Sequence, residues 1–394
     1  PSTGLLYRGN RWRDDTAIPT QALRCGAGLI IFAGCLRFLQ KYATIYNTYI
    51  IGQCCTFLGA PPGRKRKAEK GDATVQTVFF INPTAGSKNA AEELVPKIRA
   101  AAKNTGVPVE IHQTAYAGQA REMAQKYAAG GQKVHLFACG GDGTLNEVLQ
   151  GAAGYANAAV GCVPCGSGND YVRNFGTAAD FLDIEAQLAA QEVQSDLIRS
   201  TQGYGIDIFA AGIDAQVANG IPKWRRVPFC GGSTAYTLSI LEAVCSSFQH
   251  RLRIRADHID IEGTFMMLAV CNGQQYGGGY CAAPNARMDD GLLDVVLLKP
   301  VPRIRLPGLL GAYKKGAHLL PDDTITQPFA PYMTFFRTKS IDIRVLDSRP
   351  RITTLDGECS PQRHIHAEAV PRAATLLLPP GVCTANRVLQ IIGE

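Results

Sequence analysis

Gly140-Gly-Asp-Gly-Thr144-Leu-Asn-Glu147 follows an apolar run at residues 133–138 and leads straight into helically spaced residues 144–150. A strand that ends in glycines and turns at once into a helix is the punctuation of an open α/β sheet. Two further strands end in the same way. Residues 76–81 run into Asn82-Pro83-Thr84-Ala85-Gly86-Ser87, and residues 158–163 into Pro164-Cys165-Gly166-Ser167-Gly168-Asn169-Asp170. Helical spacing at 90–102 and 119–128 and a strand at 107–112 complete the alternation, which predicts a parallel sheet with helices on its faces. In such sheets the turns gather at the carboxyl edge, where ligands bind. Glycine lets backbone N–H groups approach an anion, and a following helix N-terminus adds a favourable dipole. One such turn would be only a tight turn. Three on strands of one sheet point to phosphate binding.

Working outward, the rhythm changes near residue 195. Short β-rich runs follow at 251–254, 264–271, 292–298, 341–345, 351–355 and 374–378, with helical spacing only at 233–246 and 304–319. That pattern predicts a largely antiparallel second domain, a β-sandwich, with a ligand cleft between it and the first. The organisation expected is a basic extension and linker at 1–75, an α/β domain at 76–195, a β-rich domain at 196–372, and a segment at 373–394 returning to the first domain. Several familiar phosphate and metal chemistries are excluded. There is no G-x-x-x-x-G-K-[ST], no G-x-G-x-x-G at the first strand, no H-R-D-x-x-x-x-N, and no H-E-x-x-H among the seven His.

Charge is unevenly distributed. Residues 1–75 hold eleven Lys/Arg and four Asp/Glu, whereas residues 76–394 hold 29 of each sign. The main body therefore lacks the basic surplus of a nucleic-acid binder. Pro61 to Lys70 reads as a charged linker, and the uncharged run 42–60 as an irregular or interfacial segment. Thirteen Cys, mostly inside apolar runs, predict buried thiols in a reducing compartment. Cys162-Val-Pro-Cys165 has no second pair at zinc spacing, so the turn is better explained by phosphate than by metal.

Taken together, Gly140–Glu147 and Pro164–Asp170 closely resemble the diacylglycerol kinase catalytic domain family, including its bacterial soluble lipid kinases related to sphingosine kinases. Asn82–Gly86, Tyr276-Gly-Gly-Gly279, Ala283-Pro-Asn-Ala-Arg-Met-Asp-Asp290 and Leu355-Asp-Gly-Glu358 match further family signatures in the family's order, over residues 76–380. The resemblance implies an ATP- and Mg2+-dependent transfer of the γ-phosphate to a lipid hydroxyl such as that of diacylglycerol. It implies a nucleotide site made of Asn82, Pro83, Thr84, Ala85, Gly86, Thr114, Gly140, Gly141, Asp142, Gly143, Thr144, Asn146, Glu147, Gly166, Ser167 and Asn169, with Asp142 orienting the phosphate loop. Glu358 is then the general base, with Asp356 beside it, although Asp-Gly alone also reads as a hairpin turn. Asp290 would hold magnesium with the carbonyls of Arg287 and Leu292, and Asp196 would belong to the same network.

One departure stands out. Asp207 occupies a position where the family usually has Asn, and an ionised carboxylate accepts but cannot donate. The partner expected is a lipid at the membrane surface, with the protein cytoplasmic and peripheral at the inner membrane. The competing readings are a NAD kinase-like enzyme and a catalytically silent nucleotide- or lipid-binding regulator.

Overall fold

The computed structural model describes residues 75–382 except 87–88, 167, 228–231 and 246–248. The expectations placed on residues 1–74, on Ser167 and on the chain beyond 382 lie outside the described residues.

Four strands, β1 (Gln76–Ile81), β2 (Val109–Gln113), β3 (Val134–Gly140) and β4 (Ala158–Pro164), pair in parallel in the order β2-β1-β3-β4. Helices α1 (Ala90–Thr105), α2 (Gln119–Ala129) and α3 (Asp142–Ala152) connect them, and short α4 (Asp170–Arg173) and α5 (Ile184–Leu188) follow. The two-residue alternation of side chains divides the core into two layers. Val78, Phe80, Leu136 and Ala138 face Ala120, Ala124 and Ala128 of α2 and Leu145, Val148 and Leu149 of α3. Phe79, Ile81, Phe137 and Cys139 face Leu94, Ile98 and Ala101 of α1. Phe79 stacks on Phe137 with centroids 4.7 Å apart. Burial on both faces explains why these strands read as unbroken apolar runs. Each large apolar side chain so buried contributes about 1.5–3 kcal/mol. Helix α1 is delimited chemically: the Asn89 side chain accepts from the Ala91 N–H, and the chain leaves through Gly106 at φ 74°.

The remaining strands are β5 (Gln191–Ser200), β6 (Gly203–Gly205), β7 (Ile208–Gly212), β8 (His250–Ala256), β9 (Ile259–Phe265), β10 (Met267–Cys271), β11 (Gln275–Tyr276), β12 (Tyr280–Cys281), β13 (Leu293–Leu298), β14 (Met333–Thr338), β15 (Ser340–Val345), β16 (Arg351–Leu355), β17 (Glu358–Gln362) and β18 (His364–Leu378). A six-stranded sheet, β14-β13-β10-β7-β16-β17, packs one face against β8, β15 and the first half of β18, with Phe209, Leu268, Val270, Ile254, Ile343 and Ile365 in the sandwich interior. Its other face is covered by α6 (Ile213–Arg225), α7 (Gly232–Cys245) and α8 (Leu306–Lys314). The long strand β18 joins the halves. Its early residues pair antiparallel with β15, a bulge falls between Val370 and Ala374, and Thr375 and Leu376 then pair parallel with Ala159 and Val160 of β4. One ten-stranded sheet therefore runs through both halves.

Three local expectations are corrected. Residues 264–271 are not one strand: the chain breaks at Met266, whose N–H donates to Leu298 and whose carbonyl accepts from Ile213, so that β9 lies in one sheet and β10 in the other. Helix α6 escapes the sequence pattern because Gly220 and Pro222 interrupt it and only Ile213, Ala215 and Val217 are buried apolar positions. The helix expected at 304–319 is shorter, Leu306–Lys314, and ends before Gly316 at φ 71°.

Candidate active site

The three glycine turns sit side by side because β1, β3 and β4 are adjacent and end together. The first is closed by Asn82, whose Oδ1 accepts from the Thr84 N–H at 3.0 Å and from the Thr84 hydroxyl at 2.8 Å. Asn82 Nδ2 donates to the Thr144 hydroxyl at 3.3 Å, tying this turn to the second. Thr114 adjoins the first turn, its N–H donating to the Ile81 carbonyl. Gly86 has φ 81°, and a Cβ there would stand 2.7 Å from the Cys165 carbonyl. Turns two and three are closer still, since a Cβ on Gly166 would lie 2.5 Å from the Gly141 Cα. Only glycine permits that approach.

Side chains at this edge are spent on fastening. Asp142 Oδ1 accepts from the Asp170 N–H at 2.7 Å, which locks the third turn and the start of α4 onto the second turn. Asn169, at φ 52°, bonds both the N–H and the carbonyl of Gly166. Glu147 accepts from the Gly118 and Ala120 N–H groups at 2.8 and 3.2 Å and so caps the otherwise uncapped α2. Polar ligands are left the backbone of the turns and the N-terminus of α3, whose N-cap Gly141 carries no side chain.

The second half reaches this edge through the β16–β17 hairpin. Asp356, at φ 48°, accepts from the Ile206 N–H at 2.6 Å through Oδ2 and from the Asp207 and Ile208 N–H groups at 3.0 and 2.9 Å through Oδ1. Both of its oxygens are occupied. Two residues on, Glu358 is exposed, and its Oε1 lies 3.7 Å from where a Cβ on Gly143 would be. A cavity of about 100 Å³ beside it is lined by Arg121, Asn146, Gln150, Gln202, Leu355 and Glu358. Arg121 brings positive charge to this cavity from the first turn of α2.

A second clasp was not legible as such in the sequence. Asp170 Oδ1 accepts from the Gly278 N–H at 2.7 Å. Asn174 accepts from the Gln274 and Gln275 N–H groups and donates to Asp207 Oδ1 at 2.8 Å. Burial dominates the electrostatics of these acids. It raises Asp142 against the opposing backbone donors, raises Asp170 to about 6 with help from Asp142, and raises Asp356 to about 6 against its three N–H groups. Asp207 is pushed well above the usual carboxylate range by burial, then by Asp356, Asp170 and Asp142. In the structure the Asp207 side chain acts as an acceptor, taking the Asn174 Nδ2–H, as expected of a carboxylate at this position.

Asp290 lies on a different turn. Its Oδ1 accepts from the Leu292 N–H at 3.0 Å, and Arg287 is ion-paired to Asp289 at 3.0 Å. Asp196 tethers this turn, Oδ2 accepting from Gly291 and Oδ1 from Arg372. Partial desolvation raises Asp290, opposed by the Leu292 N–H and Arg337. Among the described residues no group of three or more His, Cys, Asp or Glu is arranged to hold a metal. A single carboxylate with backbone carbonyls fits a hard cation that keeps most of its water, as magnesium does. The Cys162 and Cys165 thiols are free, and burial raises both, which favours the protonated thiol.

Another buried acid, missed in the sequence, is Asp214 at the start of α6. Its Oδ2 has no hydrogen-bond partner, and burial raises it to about 7, opposed by a hydrogen bond from Tyr276. Only its neighbourhood in the folded chain, among Tyr276, Tyr280 and Tyr313, distinguishes it.

Comparison with known proteins agrees with this geometry. Residues 76–200 match the diacylglycerol kinase catalytic domain, and residues 207–378 match the YegS C-terminal NAD kinase beta sandwich-like domain. A "Probable lipid kinase YegS-like" of Shewanella frigidimarina is 30% identical over 246 residues, covering 61% of this chain and 75% of the relative. One of Pseudomonas aeruginosa strain UCBPP-PA14 is 30% identical over 304 residues, covering 75% and 92%. The crystal structure of a diacylglycerol kinase from Bacillus anthracis str. Sterne superposes with a TM-score of 0.56 at 18% identity, covering 78% of this chain and 98% of that one, which shows the shared fold. With its glycine turns, its sandwich hairpin and these relatives in agreement, the chain belongs to the YegS-like lipid kinases of the diacylglycerol kinase catalytic domain family.

Proposed function

We propose that the protein transfers the γ-phosphate of ATP to a hydroxyl of a diacylglycerol-like lipid. The observation that carries this reading is the approach of Glu358 Oε1 to the Gly143 turn, 3.7 Å from the Cβ position, because it brings a carboxylate of one half to the phosphate-binding edge of the other. The turns at Asn82–Gly86, Gly140–Thr144 and Gly166–Asn169 hold the nucleotide phosphates through backbone N–H groups. Glu358 takes the proton of the acceptor hydroxyl while that oxygen attacks the γ-phosphorus and the bond to the β–γ bridging oxygen breaks, releasing ADP. Asp356 is a positioning residue, since its oxygens are already held by three backbone donors. Arg121 shares the cavity with Glu358 and offsets phosphoryl charge as it develops. Asp290, with the Arg287 and Leu292 carbonyls, would hold a magnesium ion that braces its turn, and magnesium accompanying the nucleotide supplies charge neutralisation.

The test is incubation of the purified chain with γ-labelled ATP and, separately, diacylglycerol, a sphingoid base, NAD and no acceptor. Label moving to a lipid supports the reading. Label on NAD alone, or on nothing, overturns it.

A further inference from the structure

We infer that the loop before α8, together with the outward face of that helix, is a docking surface for an anionic lipid bilayer. Residues 295–321 contain Lys299, Arg303, Arg305, Lys314 and Lys315 and no Asp or Glu at all. Ile304 stands between two exposed arginines and is itself 91% exposed, the most exposed large apolar side chain among the described residues. Burying nothing and packing on nothing, it has no part in the core. The helix that follows turns Leu306, Leu309 and Tyr313 inward, onto the cluster that contains Tyr280 and Phe329. Its outward face carries exposed Pro307, Gly308 and Gly311. A Cβ on Gly308 or Gly311 would meet nothing within 4 Å, so the surface is open at these two positions, while the Lys314 ammonium lies over the Tyr280 ring with 5.2 Å to its centroid. Leu320, 46% exposed, adds a second apolar residue beyond the helix.

Charge and shape together select the partner. Cations near an anionic leaflet are attracted to its phosphates, while an aliphatic apex among them enters the acyl boundary. A nucleic acid would satisfy the arginines but leave Ile304 idle, and an acidic protein would need a complementary apolar pocket. A bilayer offers both layers at the right depth. The helix whose outer face meets the membrane has as its inner face the roof of the tyrosine-lined interior. The use of this surface in delivering an acceptor rests on the lipid-kinase reading; the surface itself rests on exposure and charge.

The test uses the full chain with vesicles of phosphatidylcholine alone or mixed with phosphatidylglycerol. The parent is expected to co-sediment with the mixed vesicles. Arg303→Glu combined with Arg305→Glu lowers that binding by roughly tenfold or more at unchanged melting temperature. Because Arg305 also donates to the Tyr332 hydroxyl, Ile304→Trp provides an independent readout: its emission shifts to the blue with mixed vesicles and not with phosphatidylcholine alone. No shift, unchanged binding after charge reversal, or retention on a soluble polyanion but not on vesicles overturns the inference. So does loss of binding on neutralising Arg64, Lys65, Arg66 and Lys67 alone with no effect of the Arg303 and Arg305 reversal. Phosphorylation of a short-chain, water-soluble diacylglycerol separates the two readings. If the parent fails there yet still binds vesicles, it is the acceptor assignment that falls.

Discussion

The glycine-turn edge and the tyrosine-lined interior beneath α8 differ in how fully their polar side chains are paired. At the carboxyl edge of the parallel strands, Asp142, Asn169, Asn82 and Glu147 each satisfy named backbone donors or acceptors, and the turns become one rigid cradle. In that interior, Asp214 Oδ2 and His318 Nδ1 are buried without hydrogen-bond partners. Buried polar groups left unpaired cost stability and are retained where something other than stability is served. A phosphate is the same in every nucleotide and rewards a fixed cradle.

The largest expected effect lies where the two halves meet. Glu358→Gln keeps the size of the side chain but cannot take a proton, so turnover should fall by about 10²–10⁴ while melting temperature and nucleotide affinity hold. Steady-state rates beside a nucleotide titration decide it. A Gln variant as fast as the parent would move the base elsewhere and dissolve the functional contrast between the halves.

Next in size is the cradle itself. Asp142→Ala leaves the half-buried Asp170 N–H without an acceptor, for a loss of about 1 kcal/mol. Nucleotide affinity should fall with it, measured by calorimetry on the folded variant at a temperature below its melting transition. Unchanged affinity would mean that the turns do not act as one unit.

The sandwich half is probed by pH. Asp214 is raised to about 7 in the folded protein, so between about pH 4 and 7 the native state binds a proton that the unfolded chain has released. Stability from this group is therefore lost as pH rises through that window. Asp214→Asn should match the parent below pH 4 and exceed it above pH 7 by up to about 4 kcal/mol in denaturant titrations. A difference of opposite sign would show that the carboxylate has a cationic partner.

The smallest effect is expected at the outlying turn. Asp290→Ala removes the acceptor of the Leu292 N–H, worth about 1 kcal/mol, and should lower melting temperature and activity together, with added magnesium restoring little. A variant equal to the parent in both would reduce Asp290 to a turn former.

Much of the first half was legible because its signals are local. Residues 76–81 and 158–163 carry continuous apolar runs, and the turns after them are chemically distinctive wherever they occur. The second half was read less fully. The break at Met266 and the whole of α6 depend on which sheet each segment joins, and Gly220 and Pro222 mask the helix from any local rule. Arg121 and Asp214 gave no signal, since nothing in Gln119-Ala-Arg121-Glu or Gly212-Ile-Asp214-Ala sets these residues apart from surface ones.

The α/β class, the sandwich that follows and the glycine turns were legible in the residues, because backbone conformation and side-chain periodicity are properties of neighbouring residues, and the family was legible in the resemblance of its motifs. What each acid touches was settled only by the tertiary structure. Asp356 and Glu358 are two residues apart and chemically equivalent on paper. Folding surrounds the first with the N–H groups of Ile206, Asp207 and Ile208 and leaves the second facing Gly143. The same is true of Asp207, whose carboxyl is pushed well above the usual range by burial and then by Asp356, Asp170 and Asp142, which the chain gathers around it. Proton affinity and reach are set by what lies nearby in space, across 150 residues between Ile206 and Asp356, and no local pattern encodes that.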